Sequence, residues 1–290
     1  MGFFGQGIDV VYSYRGELIS VWNPKEFVGG ILATFVLFEF YLGVYLISLF
    51  IFLALSKFFI IELKKYSFTF FLLICFMMLG YPLYLGMTNA LRQGVALGFF
   101  VYFVSELKNN NKISFSLKNI FLLSCLFFSH SFGALLVLNF CLYYLLNKIF
   151  RNSFIYVSIF SGLLLITIDV LRGVGEYAGD PTGSDNRLPM FVAICFVIFF
   201  YSLKFKNSKF IYEEILFYYI ISLFVFSLRY LDNSLVYERL MWVPLLSTLL
   251  LFPRFFSDYC NGAVLKLALL TIYGLLAFLN LIMVGFNYYD

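Results

Sequence analysis

An arginine and a glutamine stand at the head of an apolar run in Thr88-Asn89-Ala90-Leu91-Arg92-Gln93-Gly94-Val95-Ala96-Leu97-Gly98-Phe99-Phe100. Thr88 or Asn89 can cap a helix that starts there. Its first-turn N–H groups and its dipole then add partial positive charge beside the Arg92 guanidinium. A helix start with an arginine binds anions, most naturally a phosphate, whose oxygens match the guanidinium fork. An arginine in an apolar segment is costly to bury and marks function by default. The plainer alternative is an interfacial arginine that snorkels to lipid headgroups.

Further candidates lie later in the chain. His130 is the only histidine and sits between Ser129 and Ser131. It can act as a general base, as a donor to a phosphate oxygen, or as a cap between two helices. The segment Arg229-Tyr230-Leu231-Asp232-Asn233-Ser234-Leu235-Val236-Tyr237-Glu238-Arg239 sets two arginines on either side of a turn, where both can face one cavity from neighbouring helices. Asp232 and Glu238 supply carboxylates beside them. Tyr230 and Tyr237 can stack on sugar rings, but the ordinary membrane-interface belt is the preferred reading of both. Arg172 and Arg187 bound the longest polar connection, 172–188, whose glycines and Pro181 oppose a regular helix. Such segments commonly form lids and binding loops. Asp169, Glu176, Asp180 and Asp185 lie nearby and can simply pair with those arginines, whereas Arg92 has no acid close in sequence.

Composition says what positions these residues. Of 290 residues, 62% are hydrophobic and 12% charged, against about 25% charged in soluble domains. The mean hydropathy is +0.93. The chain therefore reads as an all-α polytopic membrane protein, one transmembrane domain over residues 1–290, without a stretch polar enough for a soluble domain. The net charge of +4 is small and scattered, so no nucleic-acid partner is expected. The five cysteines show no metal spacing, and neither metal nor cofactor is expected. Met1-Gly2-Phe3-Phe4-Gly5 lacks the basic segment of a cleavable signal peptide.

A spanning helix needs about 20 apolar residues. Residues 1–26 are too mixed to span and read as an exterior segment. Residues 27–42 read as an interfacial or re-entrant piece. Spans are expected near 43–61, 67–87, 89–107, 117–131, 132–149, 153–172, 188–205, 211–231, 238–256 and 263–286. The pair meeting at Ser129-His130-Ser131 forms either a tight hairpin or a broken helix pair. Pro82 is expected to kink the span before Arg92. Gly94 and Gly98 have the spacing of close helix packing.

Alternate connections carry Lys57, Lys64, Lys65, Lys108, Lys112, Lys118, Lys148, Arg151, Lys204, Lys206, Lys209, Arg254 and Lys266. By the positive-inside rule this side is cytoplasmic. The other side carries Arg15, Lys25, Arg92, Arg172, Arg187, Arg229 and Arg239. Topology needs only positive charge, so the switch from lysine to arginine points to gripping carboxylate or phosphate outside. The chain then starts and ends outside with ten spans, or eleven if a first helix precedes residue 1.

Three blocks carry a family resemblance. Asn89-Ala90-Leu91-Arg92-Gln93-Gly94-Val95-Ala96 is similar to an N-x-x-R-Q-x-x-A block. Phe128-Ser129-His130-Ser131-Phe132-Gly133-Ala134-Leu135 is similar to a histidine-small-residue block some forty residues later. Tyr237-Glu238-Arg239-Leu240 is similar to a late exterior arginine before a hydrophobic helix. In these blocks the chain resembles the Wzy-type polysaccharide polymerases, in their EpsG-like branch.

The resemblance implies a GT-C-like membrane architecture in the bacterial cytoplasmic (inner) membrane, with a site facing the periplasm or exterior. It implies glycosyl transfer between undecaprenyl-diphosphate-linked oligosaccharides. Arg92, His130, Glu238 and Arg239 would be catalytic; Asn89, Gln93, Arg172, Arg187, Arg229, Asp232 and Tyr237 would bind substrate. A chain-length regulator and a flippase are the implied partners. The rival functions are an O-antigen ligase, a flippase or transporter of lipid-linked sugar, and a polytopic acyltransferase or scaffold.

Overall fold

The computed structural model describes residues 40–80, 83–88, 91–150, 154–172, 210–232, 234–257 and 262–287. Among them every regular element is a helix: α1 (Phe40–Phe58), α2 (Ile60–Leu79), α3 (Leu83–Thr88), α4 (Leu91–Asn110), α5 (Leu117–Ser129), α6 (Ser131–Ile149), α7 (Phe154–Arg172), α8 (Ile211–Ser227), α9 (Ser234–Ser257) and α10 (Ala263–Asn287). A 3₁₀ turn, Leu228–Tyr230, closes α8. For the described residues the all-helical part of the expectation is borne out. The segment 1–26, residues 27–39 of the piece expected at 27–42, nearly all of the 172–188 connection and the span near 188–205 lie outside the described residues; residues 40–42 belong to α1.

Two element ends follow directly from local sequence chemistry. Asn111 ends α4 with φ at 45°, a left-handed conformation that asparagine tolerates better than most side chains. Ser116 caps α5, its Oγ accepting the Asn119 N–H at 3.3 Å. Two connections differ from expectation. The connection expected between the spans near 43–61 and 67–87 is a one-residue break at Phe59, whose N–H still reaches the Leu55 carbonyl at 3.0 Å. Apolar residues on both sides make helix the better way to satisfy the backbone there. The span expected at 67–87 is divided, since α2 ends at Leu79 and Gly80 is extended (φ −69°, ψ 153°) before α3 begins. Proline two residues later disfavours helix through this point.

The chain forms two compact units, residues 1–137 with 252–290, and residues 138–251. In the first, α1 packs on α4. Gly98 makes this possible, because a Cβ there would lie 2.5 Å from the Phe50 ring, as the Gly94/Gly98 spacing anticipates. At one end of this unit Glu106 on α4 pairs with Lys57 on α1 and, at 2.7 Å, with Lys118 on α5. Lys108 reaches Glu62 and the Phe58 carbonyl, both at 2.8 Å. The lysine-rich turns after α1 and α4 therefore share one end.

In the second unit α7 and α8 meet at Gly162, where a Cβ would come within 2.7 Å of the Ser222 carbonyl oxygen. Asn139 on α6 donates through Nδ2 to Ser222 Oγ at 2.8 Å, and the Tyr218 hydroxyl donates to Asn139 Oδ1 at 2.7 Å. Lipid is as apolar as leucine, so close packing and such bonds, about 0.6–2 kcal/mol each, hold membrane helices together. The Tyr143 hydroxyl donates to Glu214 at 2.6 Å and joins the end of α6 to the start of α8. Arg229 and Asp169 join the opposite ends of α8 and α7 at 2.7 Å.

Both units present apolar side chains outward: Tyr45, Leu49, Leu53, Phe68 and Phe71 in the first, Leu145, Tyr156 and Leu163 in the second. Large exposed apolar side chains of this kind suit lipid. Among the described residues, Phe132–Ile149 and Ile211–Tyr230 are long and apolar enough to cross a membrane.

Candidate functional site

In the first unit, Arg92 is the second residue of α4 and lies among the backbone N–H groups that have no partner within the helix. The short α3 precedes it and packs against α4. Gln93 is buried. Asn89 lies outside the described residues.

His130 is the single residue between α5 and α6, with extended backbone (φ −168°, ψ 158°). A single residue parts the two helices, with no loop between them. Gly133 allows the tight passage, since a Cβ there would meet the Leu126 carbonyl oxygen at 2.0 Å. The Phe132 N–H donates to His130 Nδ1 at 3.1 Å, and the His130 carbonyl accepts from the Ala134 N–H at 3.0 Å. The imidazole thus caps α6 through its side chain, the position that serine or asparagine normally fills.

This geometry narrows the chemistry of His130. A nitrogen that accepts an amide N–H carries no proton of its own. In the neutral ring the proton then resides on Nε2, making that atom a donor. A phosphate oxygen is a suitable acceptor; removal of a hydroxyl proton by Nε2 does not fit this tautomer.

In the second unit, the end of α7 and the turn closing α8 bring three polar side chains together. Asp169 Oδ2 accepts from Arg229 Nε at 2.7 Å and from the Tyr230 hydroxyl at 2.7 Å. The Asp169 side chain is 10% exposed and that of Arg229 32%, so the carboxylate lies inside and the guanidinium reaches the surface. Tyr230, expected as an interface-belt residue, is a partner in this cluster. Asp232 is exposed just beyond it. Tyr237 is buried in the first turns of α9, and Glu238 and Arg239 beside it are half-buried. Arg172 is the last residue of α7, and Arg187 lies outside the described residues.

Asp169 is the functional candidate the sequence singled out least. It is one of several acids on its side of the expected membrane, and nothing in its neighbours points to Arg229, sixty positions away. The visible signal is an acid in the last turn of one apolar helix and an arginine in the last turn of another, with both ends on the same expected side.

The described residues are helical, turn apolar side chains outward and carry arginines at helix ends. The EpsG family model matches residues 30–289, and the chain belongs to the EpsG family, a Wzy-like polysaccharide polymerase family. A polysaccharide polymerase-type role and a membrane location follow from that membership. No curated protein and no solved structure matches the chain.

Proposed function

We propose that the chain polymerises undecaprenyl-diphosphate-linked oligosaccharide repeat units on the outer face of the bacterial cytoplasmic membrane. The family match over residues 30–289 carries this reading. The arginine-rich helix ends support it, because the leaving group is a diphosphate. An acceptor hydroxyl on one lipid-linked repeat attacks the anomeric carbon of the growing chain. The bond from that carbon to the diphosphate oxygen breaks, the hydroxyl proton passes to a base, and undecaprenyl diphosphate departs.

The family resemblance assigns Arg92, Arg239 and Arg229 to the diphosphate, where each would stabilise the charge that grows as the bond breaks. His130 donates to a diphosphate oxygen through Nε2. The base is then a carboxylate, Glu238 or Asp232. Gln93, Asn89, Tyr237, Arg172 and Arg187 contribute to binding substrate, and the 172–188 connection selects the sugar. The helices cross the bilayer ten times in a GT-C-like arrangement, with the lysine-rich side in the cytoplasm and the site facing outward. The chain works downstream of a flippase and with a chain-length regulator.

A gel of surface glycan from a deletion strain tests this. Glycans one repeat long should persist while long ones vanish. Loss of all surface glycan would instead put the block at flipping or ligation.

A further inference from the structure

We infer that Asp169 and Tyr230 are positioning residues that aim Arg229 at the diphosphate of a lipid-linked substrate. This inference rests on the polymerase reading for the identity of the anion. Its geometric basis stands in the second unit alone.

The Asp169 carboxylate takes the Arg229 guanidinium by Nε, the donor nearest the chain, at 2.7 Å. A guanidinium has five N–H donors in a rigid planar fork. Among the described residues the ion pair of Arg229 is with Asp169 and uses Nε. Anchoring Nε fixes the plane of the group, with the Tyr230 hydroxyl also close to it, and the edge formed by the two terminal nitrogens is the one that grips two phosphate oxygens at once.

The same Asp169 Oδ2 accepts the Tyr230 hydroxyl at 2.7 Å. The carboxylate is thereby held from a second direction and is largely shielded from solvent. The site also has a rigid base. The ring of Phe226, one turn earlier, meets Tyr230 edge-on with centroids 5.8 Å apart. Gly162, two turns before Asp169 on α7, locks α7 against the Ser222 backbone of α8. A surface arginine with four rotatable bonds loses much entropy when it grips a ligand. One held at Nε by a shielded carboxylate has given up most of it before the ligand arrives.

A structural pair that only staples α7 to α8 would share these distances, so the test must separate the two roles. The probe is farnesyl diphosphate, binding to the purified full chain in detergent, with thermal midpoints recorded alongside. Arg229→Ala and Asp169→Ala should each weaken binding by about tenfold, the scale of one charge-assisted hydrogen bond. The double variant should bind no worse than Arg229→Ala, because Asp169 acts only through Arg229. Asp169→Glu should recover part of the affinity, and Tyr230→Phe should lose a smaller factor than Asp169→Ala.

Additive losses in the double variant, or loss of thermal stability at unchanged affinity in Asp169→Ala, would overturn the inference in favour of a staple. So would a wild-type chain that does not bind the probe. None of these results touches the polymerase reading, which stands or falls on the surface-glycan gel.

Discussion

Replacing His130 by alanine and by asparagine separates its cap from its proton. The Phe132 N–H donates to Nδ1 at 3.1 Å, and Phe132 is 6% exposed. Alanine leaves that amide without its acceptor where water cannot easily replace it. The cost is that of losing a helix cap, about 0.5–2 kcal/mol, and burial places it toward the upper value. Asparagine is among the best capping residues, and its Oδ1 can take the same N–H, so His130→Asn should keep wild-type stability. It has no atom equivalent to Nε2, however. If Nε2–H donates to the charge that develops on the leaving diphosphate, polymerisation should fall by about 10²–10³-fold in both variants. The assay pairs thermal midpoints of the purified variants with polymer yield per amount of protein. Wild-type yield from His130→Asn would refute the donor role and leave His130 as a cap. An unchanged midpoint for His130→Ala would refute the cap.

Three further outcomes follow from the same structure. Arg92→Lys keeps the charge and loses the fork, so glycan length should collapse at normal expression; undiminished length on a gel would remove the diphosphate role. Gly162→Val sets a branched side chain where a Cβ already lies 2.7 Å from the Ser222 carbonyl oxygen, and should cost about 1–3 kcal/mol as a lowered thermal midpoint. Glu106→Gln removes the anion that Lys57 and Lys118 share, its own side chain being 8% exposed. Stability should fall by about 1–3 kcal/mol, with Lys57→Met in the same chain restoring part of it; a midpoint equal to wild type would show the cluster to be dispensable.

Helix identity was legible because long apolar runs separated by short lysine-bearing turns leave the backbone few alternatives in lipid. The starts of α4, α5, α6 and α8 fall within two residues of the expected span starts. The breaks were harder to read. Phe59 interrupts a helix with no glycine or proline beside it, whereas the stop of α2 at Leu79 follows from Gly80 and Pro82, the proline expected to kink that span. At His130 the sequence showed a histidine between serines and left base, donor and cap open; the Phe132 N–H on Nδ1 shows the cap, and no sequence signal marks it. Asp169, Arg229 and Tyr230 show the limit most plainly. Each was visible as a charged or aromatic residue near a helix end. Their meeting depends on the α7–α8 seam at Gly162, and a pairing across sixty positions leaves no periodicity to detect. The lysines that mark sidedness also proved to have partners, since Glu106 and Glu62 gather Lys57, Lys118 and Lys108 at one end of the first unit.

The central claim is transfer of a glycan chain with undecaprenyl diphosphate as leaving group. Its most direct test reconstitutes the purified chain with one defined lipid-linked repeat unit and follows products by gel and by lipid analysis. The account predicts a ladder of polymer with one undecaprenyl diphosphate released for each bond formed, and no ladder from Arg92→Lys. Movement of the intact lipid-linked repeat across the bilayer without any new glycosidic bond would contradict it.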